Sequence, residues 1–456
     1  MTLLRLPPML LALLTMLLAS PGQRTAAKQV QLEVAMANPT MYVTKDKKQA
    51  NHLRIALTGF EMPNQAERQP VNVAIVIDKS GSMQGEKIRQ ARNAALGALD
   101  RLGDDDIISI VTYDSSVEVL VPATKASDRS AIRTKIRGIS AGGNTALFAG
   151  VSKGAAELRK FLDEKMVNRV ILLSDGLANV GPSSPAELTQ LGESLIKEGI
   201  SVSTMGLGLG YNEDLMSQLA LASSGNHVFI EEAQNLVQVF QNEFDDVLGV
   251  VAQQIKVKAK IAEGIRPVKV LNSKADITGQ NVTIDLGQLY SRQERYFVVE
   301  VEVPFGDIDS SMPVAEVAVE YMNMTTETVD KLTSAVQVKF TDKQDIAQQE
   351  LNSEVYATCM IQVANETNKR ATALRDAGRI AEAEKLLRFN SDFLLKSYRC
   401  APVEELKLKS SVNSLQADNL VGSSWAETRK KMREQQVADQ IQQRYSGEGS
   451  KAKQKR

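Results

Sequence analysis

The chain has 456 residues, enough for two or three domains with separate cores, and its 43% apolar and 24% charged residues are ordinary for a globular protein. A formal charge of -1 argues against a global nucleic-acid binder. With two cysteines and two histidines, a Cys/His zinc site is almost excluded, since it would need all four, and a Ser-His-Asp triad would have to use His52 or His227.

The first residues carry Arg5, then apolar residues 9–14 and 17–18, then small and polar residues ending Thr25-Ala26-Ala27. This reads as a signal peptide over residues 1–27, cleaved after Ala27, and implies export to the periplasm or the extracellular space. The alternative is an uncleaved membrane anchor, but the apolar stretch is short for a span and contains Pro7-Pro8. Residues 28–69 form a β segment and linker. Val30, Leu32 and Val34 alternate with polar residues as in a half-buried strand, and a second strand is read at 53–57.

From residue 70 to 250 strand-length apolar runs alternate with helical periods. Strands are expected at 71–77, 107–112, 117–121, 169–174, 200–206 and 227–230. Helices are expected at 86–102, 128–137, 146–162, 185–198, 212–222 and 233–248. Such alternation implies a doubly wound, mostly parallel sheet covered on both faces. Ligands bind these sheets at the carboxyl ends of strands. His52 and His227 are read as surface or strand-edge residues.

Over residues 251–342 the period becomes two. Ile255, Val257, Ala259 and Ile261 alternate with Lys256, Lys258 and Lys260. Five strands here and two before residue 70 suit an antiparallel β-sandwich-like domain, with the α/β unit inserted in it. Residues 343–445 are helical, with a hairpin turning near Ala377-Gly378. Residues 446–456 end a basic tail. From Arg429 to Arg456 nine basic residues against three acidic ones leave a local charge of +6. The tail is read as a solvated, disordered terminus, with contact to a membrane surface as the alternative.

The chemistry concentrates at three places. Asp78-Lys79-Ser80-Gly81-Ser82 follows the apolar run at 73–77. Alternate residues of an extended loop point the same way, so Asp78, Ser80 and Ser82 can face one point. Gly142-Gly143-Asn144-Thr145 is a flexible loop ending in a hydroxyl, and Asp175 ends a second buried strand. Three hydroxyls and two carboxylates suit a hard cation that prefers oxygen and leave a site partly open to water. Capping of a strand-to-helix turn accounts for one of these loops but not the others.

Over roughly residues 70–250 the chain resembles the von Willebrand factor type A domain. In that family the three elements form a metal-ion-dependent adhesion site, whose usual ion is magnesium and sometimes manganese or calcium. The resemblance implies that Ser80, Ser82 and Thr145 supply hydroxyl ligands and that Asp78 and Asp175 supply negative charge, directly or through water. It also implies a secreted, non-catalytic module that binds a protein partner through an acidic residue completing the ion's coordination. Two other functions remain open: a structural or assembly subunit of a membrane-associated complex, and a metal-assisted phosphoester hydrolase. The hydrolase would need a general acid or base near the ion, and the sequence offers no second carboxylate at close spacing.

Cys359 and Cys400 are expected to form a disulfide. Export favours it. If the helical hairpin turns near Ala377-Gly378, the two lie at similar heights on antiparallel helices.

Overall fold

A computed structural model describes residues 29–43, 48–62, 68–422 and 424–443. The expected signal peptide at 1–27 and the tail at 446–456 lie outside the described residues. Among those described, no helix is long and apolar enough to cross a membrane.

Three strands open the described chain: β1 (Gln31–Met36), β2 (Thr40–Tyr42) and β3 (Gln49–Thr58). The α/β unit follows, with β4 (Val71–Asp78), α1 (Glu86–Arg101), β5 (Ile107–Tyr113), β6 (Val117–Lys125), α2 (Arg129–Arg137), α3 (Leu147–Leu158), β7 (Val167–Ser174), α4 (Pro185–Lys197), β8 (Ile200–Leu207), α5 (Glu213–Ala222), β9 (His227–Ile230) and α6 (Leu236–Leu248). Then come β10 (Val250–Ile261), β11 (Arg266–Val270), β12 (Asp276–Thr278), β13 (Asn281–Tyr290), β14 (Glu294–Val303), β15 (Ser311–Asn323) and β16 (Thr328–Thr341). Helices α7 (Gln344–Gln349), α8 (Ser353–Asp376), α9 (Ile380–Cys400), α10 (Glu404–Asp418) and α11 (Trp425–Ile441) end it.

The central sheet has the order β6-β5-β4-β7-β8-β9, parallel except for β6. Every residue of β4 and β7 is buried, because helices cover both faces. Val73, Ile75 and Ile77 pack with Ala95 and Leu99 of α1 and Phe240 and Phe244 of α6. Ala74 and Val76 point the other way, to Val151 and Ala155 of α3 and Leu215 of α5. From β4 the chain winds outward to β5 and β6, then crosses back to β7 on the other side of β4. The carboxyl ends of β4 and β7 therefore flank the switch point where such sheets bind ligands.

Two antiparallel sheets face each other as a sandwich. One has the order β1-β3-β14-β11. The other runs β12-β13-β10-β15-β16-β2, with β2 alone joining in parallel, alongside β16. Leu53, Ile55, Phe297 and Val299 from the first share a core with Val257, Ile284, Val317 and Phe340 from the second. Since β3 pairs with β14, the α/β unit is inserted between strands of the sandwich. Strands β2, β11 and β12 are additions to the sequence reading. They are short, and β11 carries Pro267, so neither length nor alternation marks them.

Helices α8 to α10 cover the outer face of the first sheet, where Val355, Cys359 and Leu394 meet Ala56, Tyr296 and Val298. The disulfide expectation fails here. Both cysteines are free; Cys359 is buried and Cys400 is exposed. Rise along a helix fixes height but not azimuth. Cys359 turns inward to the sheet, beside Ala56 and Val298, while Cys400 is the last residue of α9 and is turned to solvent.

Helix α11 closes the α/β unit. Side chains of α11 and of the residues just after it finish the free edge of β9: Phe229 N donates to Glu434 Oε1 at 3.2 Å, and His227 N donates to Gln443 Oε1 at 3.3 Å. His227 thus begins an edge strand yet is wholly buried.

Candidate metal centre

Asp78 ends β4 with no exposed surface. Its Oδ1 accepts from Ser80 N at 2.8 Å and its Oδ2 accepts from Ser174 Oγ at 2.7 Å. These bonds pin both oxygens at the switch point. The chain then turns through a short 3-10 helix, Gly81–Met83, into α1. Ser80 Oγ and Ser82 Oγ lie 3.1 Å apart, and Ser82 Oγ donates to Asp175 Oδ1 at 2.6 Å. The alternation read from sequence does bring both serines to one side.

Thr145 arrives from the loop before α3. Gly81 N donates to Gly143 O at 3.0 Å and Gly142 N donates to Lys79 O at 2.6 Å, so the two loops run against each other. Gly143 has φ +84°, and a side chain there would also press on Asp114 and Ser115. Thr145 N donates to Asn179 Oδ1 at 2.9 Å. A Cβ added to Gly176 would lie 2.9 Å from Thr145 Oγ1 and 3.6 Å from Ser82 Oγ. The threonine hydroxyl therefore sits beside Ser82 and Asp175, and only a glycine fits behind it. Asp78, Ser80, Ser82, Thr145 and Asp175 are thus all brought together.

Three participants escaped the sequence reading. Ser174 holds Asp78, Asn179 holds the backbone of Thr145, and Lys87 Nζ lies 2.6 Å from Asp175 Oδ2. Ser174 adjoins Asp175 in sequence, and Lys87 lies in the first turn of the helix after the serine loop; nothing in the sequence marks Asn179. His52 lies in the sandwich on β3, and His227 starts β9 with Nδ1 2.8 Å from Thr204 Oγ1. Neither histidine is at this site.

The electrostatics suit a cation. Burial raises the pKa of Asp78, the Ser80 and Ser174 hydrogen bonds oppose that rise, and the charge of Asp175 adds to it. Lys87 offsets Asp175, but no lysine or arginine pairs with Asp78 among the described residues. A buried carboxylate without a counter-ion favours a bound cation. No group of three or more His, Cys, Asp or Glu is placed to hold a metal among the described residues. The donor set is instead two carboxylates with neutral hydroxyls, which fits a hard oxygen-loving ion better than a soft one.

The match to the von Willebrand factor type A domain profile covers residues 72–243. An uncharacterized protein of Synechocystis, sll0103, is 27% identical over 259 residues, 55% of this chain and 61% of its own length. Inter-alpha-trypsin inhibitor heavy chain H3 of Mesocricetus auratus is 30% identical over 208 residues, 44% of this chain and 23% of its own length. The chain thus spans less than two thirds of each of these relatives. Among solved structures, a von Willebrand factor type A protein from Catenulispora acidiphila superposes with a TM-score of 0.66 at 17% identity. It covers 83% of this chain and 89% of its own, and so extends the likeness of fold beyond the parallel sheet. With the switch-point sheet, these matches identify residues 72–243 as a von Willebrand factor type A domain, carried between additional antiparallel sheets and a C-terminal helical region.

Proposed function

We propose that the α/β domain is a divalent-cation-dependent module for protein–protein interaction or adhesion, and that it binds a carboxylate of its partner. Domains of this family mediate protein–protein interactions and often bind a divalent metal. The observation that carries the finer reading is Asp78, a buried carboxylate beside hydroxyls with no cationic partner among the described residues. Asp78, Ser80, Ser82, Thr145 and Asp175 would hold the ion, magnesium before manganese or calcium. The ion would supply a positive centre for an incoming carboxylate, since hydroxyl ligands do not neutralise it. Leu177 and Leu209, 58% and 54% exposed, follow Asp175 and β8 and offer apolar contact beside the site. We take the protein to be exported and non-catalytic, acting in the periplasm or outside the cell.

Calorimetry with magnesium or manganese on wild type and Asp78→Ala tests the ion. Saturable binding lost by at least roughly tenfold in the variant is expected; equal binding by both refutes the site. A pull-down with magnesium and with chelator tests the partner. Capture that survives chelation would sink the adhesion reading. If a Ser80, Ser82 and Thr145 triple-alanine variant also assembled normally, that would favour a structural subunit of a membrane-associated complex.

A further inference from the structure

A cavity of about 1500 Å³ lies between the α/β domain, the sandwich and the C-terminal helices, away from the metal site. Its walls come from α4 and α5, from β10 and β13, and from α8 and α11. Among the cations that line it, Arg295 has no acidic partner among the described residues. Arg295 is on β14 two residues before Phe297, whose side chain enters the sandwich core, so alternation turns Arg295 to the same inner side. Its Nε is buried with no hydrogen-bond partner, and no carboxylate pairs with the guanidinium among the described residues. The ionisable neighbour that affects it is the Tyr290 hydroxyl, and burial pushes the Arg295 pKa down to about 10.

Arg295 is half-buried, with its Nε wholly buried and unpaired, and a desolvated guanidinium without an anion is costly unless something binds it. Two further features agree. The Ser201 hydroxyl, on β8 in the same cavity wall, is buried with no hydrogen-bond partner among the described residues. Lys369, on the α8 wall, has its pKa lowered by burial more than Glu366 raises it, and Arg433 across from it lowers it further. Of the acidic residues on these walls, Glu193 pairs with Lys274, Glu198 with Arg159 and Glu320 with Lys331, while Glu164, Asp276 and Asp285 also line the cavity.

We propose that this cavity binds a small molecule through an oxyanion, a carboxylate or a phosphate, gripped by Arg295. The planar fork of arginine matches either group in a bidentate pair. The cavity is far larger than a bare oxyanion, so the natural ligand carries a body beyond its charged group.

Titration calorimetry of the full chain with sodium phosphate and with sodium succinate tests this, against sodium chloride at equal ionic strength. Chelator is present throughout, so that the site at Asp78 contributes nothing. Saturable binding of either anion to wild type is expected. It should weaken roughly tenfold or more in Arg295→Gln, and also weaken in Arg295→Lys, which keeps the charge but not the fork. Preference for phosphate assigns a phosphate ester; preference for succinate assigns a carboxylate. Absence of saturable binding to wild type overturns the proposal without need of any variant. Undiminished binding to Arg295→Lys and Arg295→Gln overturns it as well.

Discussion

At the scale of single residues, burial decides which groups titrate and when. His227 shows the effect in isolation from the metal site. It has no exposed surface, and burial pushes its pKa down to about 4, with Glu213 pulling it back and Lys430 pushing it further. The unfolded chain binds a proton there near pH 6.5, while the folded protein resists until about pH 4. His227 therefore leaves stability untouched above pH 6.5 and subtracts from it as pH falls from 6.5 to 4, reaching about 3 kcal/mol. Urea unfolding at several pH values measures this. The slope between pH 6.5 and 4 should flatten in His227→Gln; an unchanged slope would assign it to other groups. The sequence revealed the five oxygen-bearing residues because strand ends and alternation are local properties. It did not reveal Asn179 or Lys87, whose roles depend on loops meeting in space. Nor did it reveal that His227 is buried, because that burial is made by a helix some two hundred residues away.

At the scale of elements, the joint between β7 and β13 depends on one arginine. Arg169 has no exposed surface; its Nη1 donates to Ser203 Oγ at 2.6 Å and to Glu243 Oε1 at 2.7 Å. Its Nη2 donates to Gln288 Oε1 at 2.5 Å and to the Tyr290 hydroxyl at 3.0 Å. The charge pair with Glu243 lies within the α/β domain, and the bonds to Gln288 and Tyr290 pin the sandwich to it. Removing one partner leaves the other charge buried, so Arg169→Leu should cost about 3–5 kcal/mol in chemical denaturation. A loss under about 1 kcal/mol would mean that Glu243 finds other partners or a proton. The parallel strands were legible as uninterrupted apolar runs, since both of their faces are covered. The facing of the two cysteines was not, because an apolar stripe reports that a helix packs and not which residue meets which.

At the scale of the molecule, ion pairs fasten α11 to the α/β domain. Lys430 Nζ donates to Glu213 Oε2 at 2.5 Å and to Tyr211 O at 2.7 Å. Arg429 reaches Asp214 at 2.6 Å, Asp376 at 2.7 Å and also Glu213. In the sequence these cations belonged to a basic stretch that read as a solvated tail, yet the structure uses them as a clasp. The carboxylates they meet lie far upstream, and composition cannot pair them. Asn-x-Ser/Thr motifs, which matter for glycosylation only in a eukaryotic secretory route, begin at Asn281, Asn323 and Asn365; Asn323 and Asn365 are buried, while Asn281 is exposed.

The insertion of the α/β domain also orders events in time. As the chain leaves the ribosome, β1 and β3 emerge first, but β14, the partner of β3, follows only after the whole α/β unit. That unit is complete at Leu248 and its sheet contains no strand from outside it. Once folded, it draws the two ends of a long loop together and lowers the entropy of closing the sandwich. The parallel sheet should therefore mature before the flanking one, with newly made chains passing through an intermediate in which β3 is still unpaired. Pulse-labelled hydrogen exchange during refolding reads the order directly. Amides of β4 and β7 should gain protection before those of β3 and β14, and simultaneous or reversed protection would refute the sequence of events.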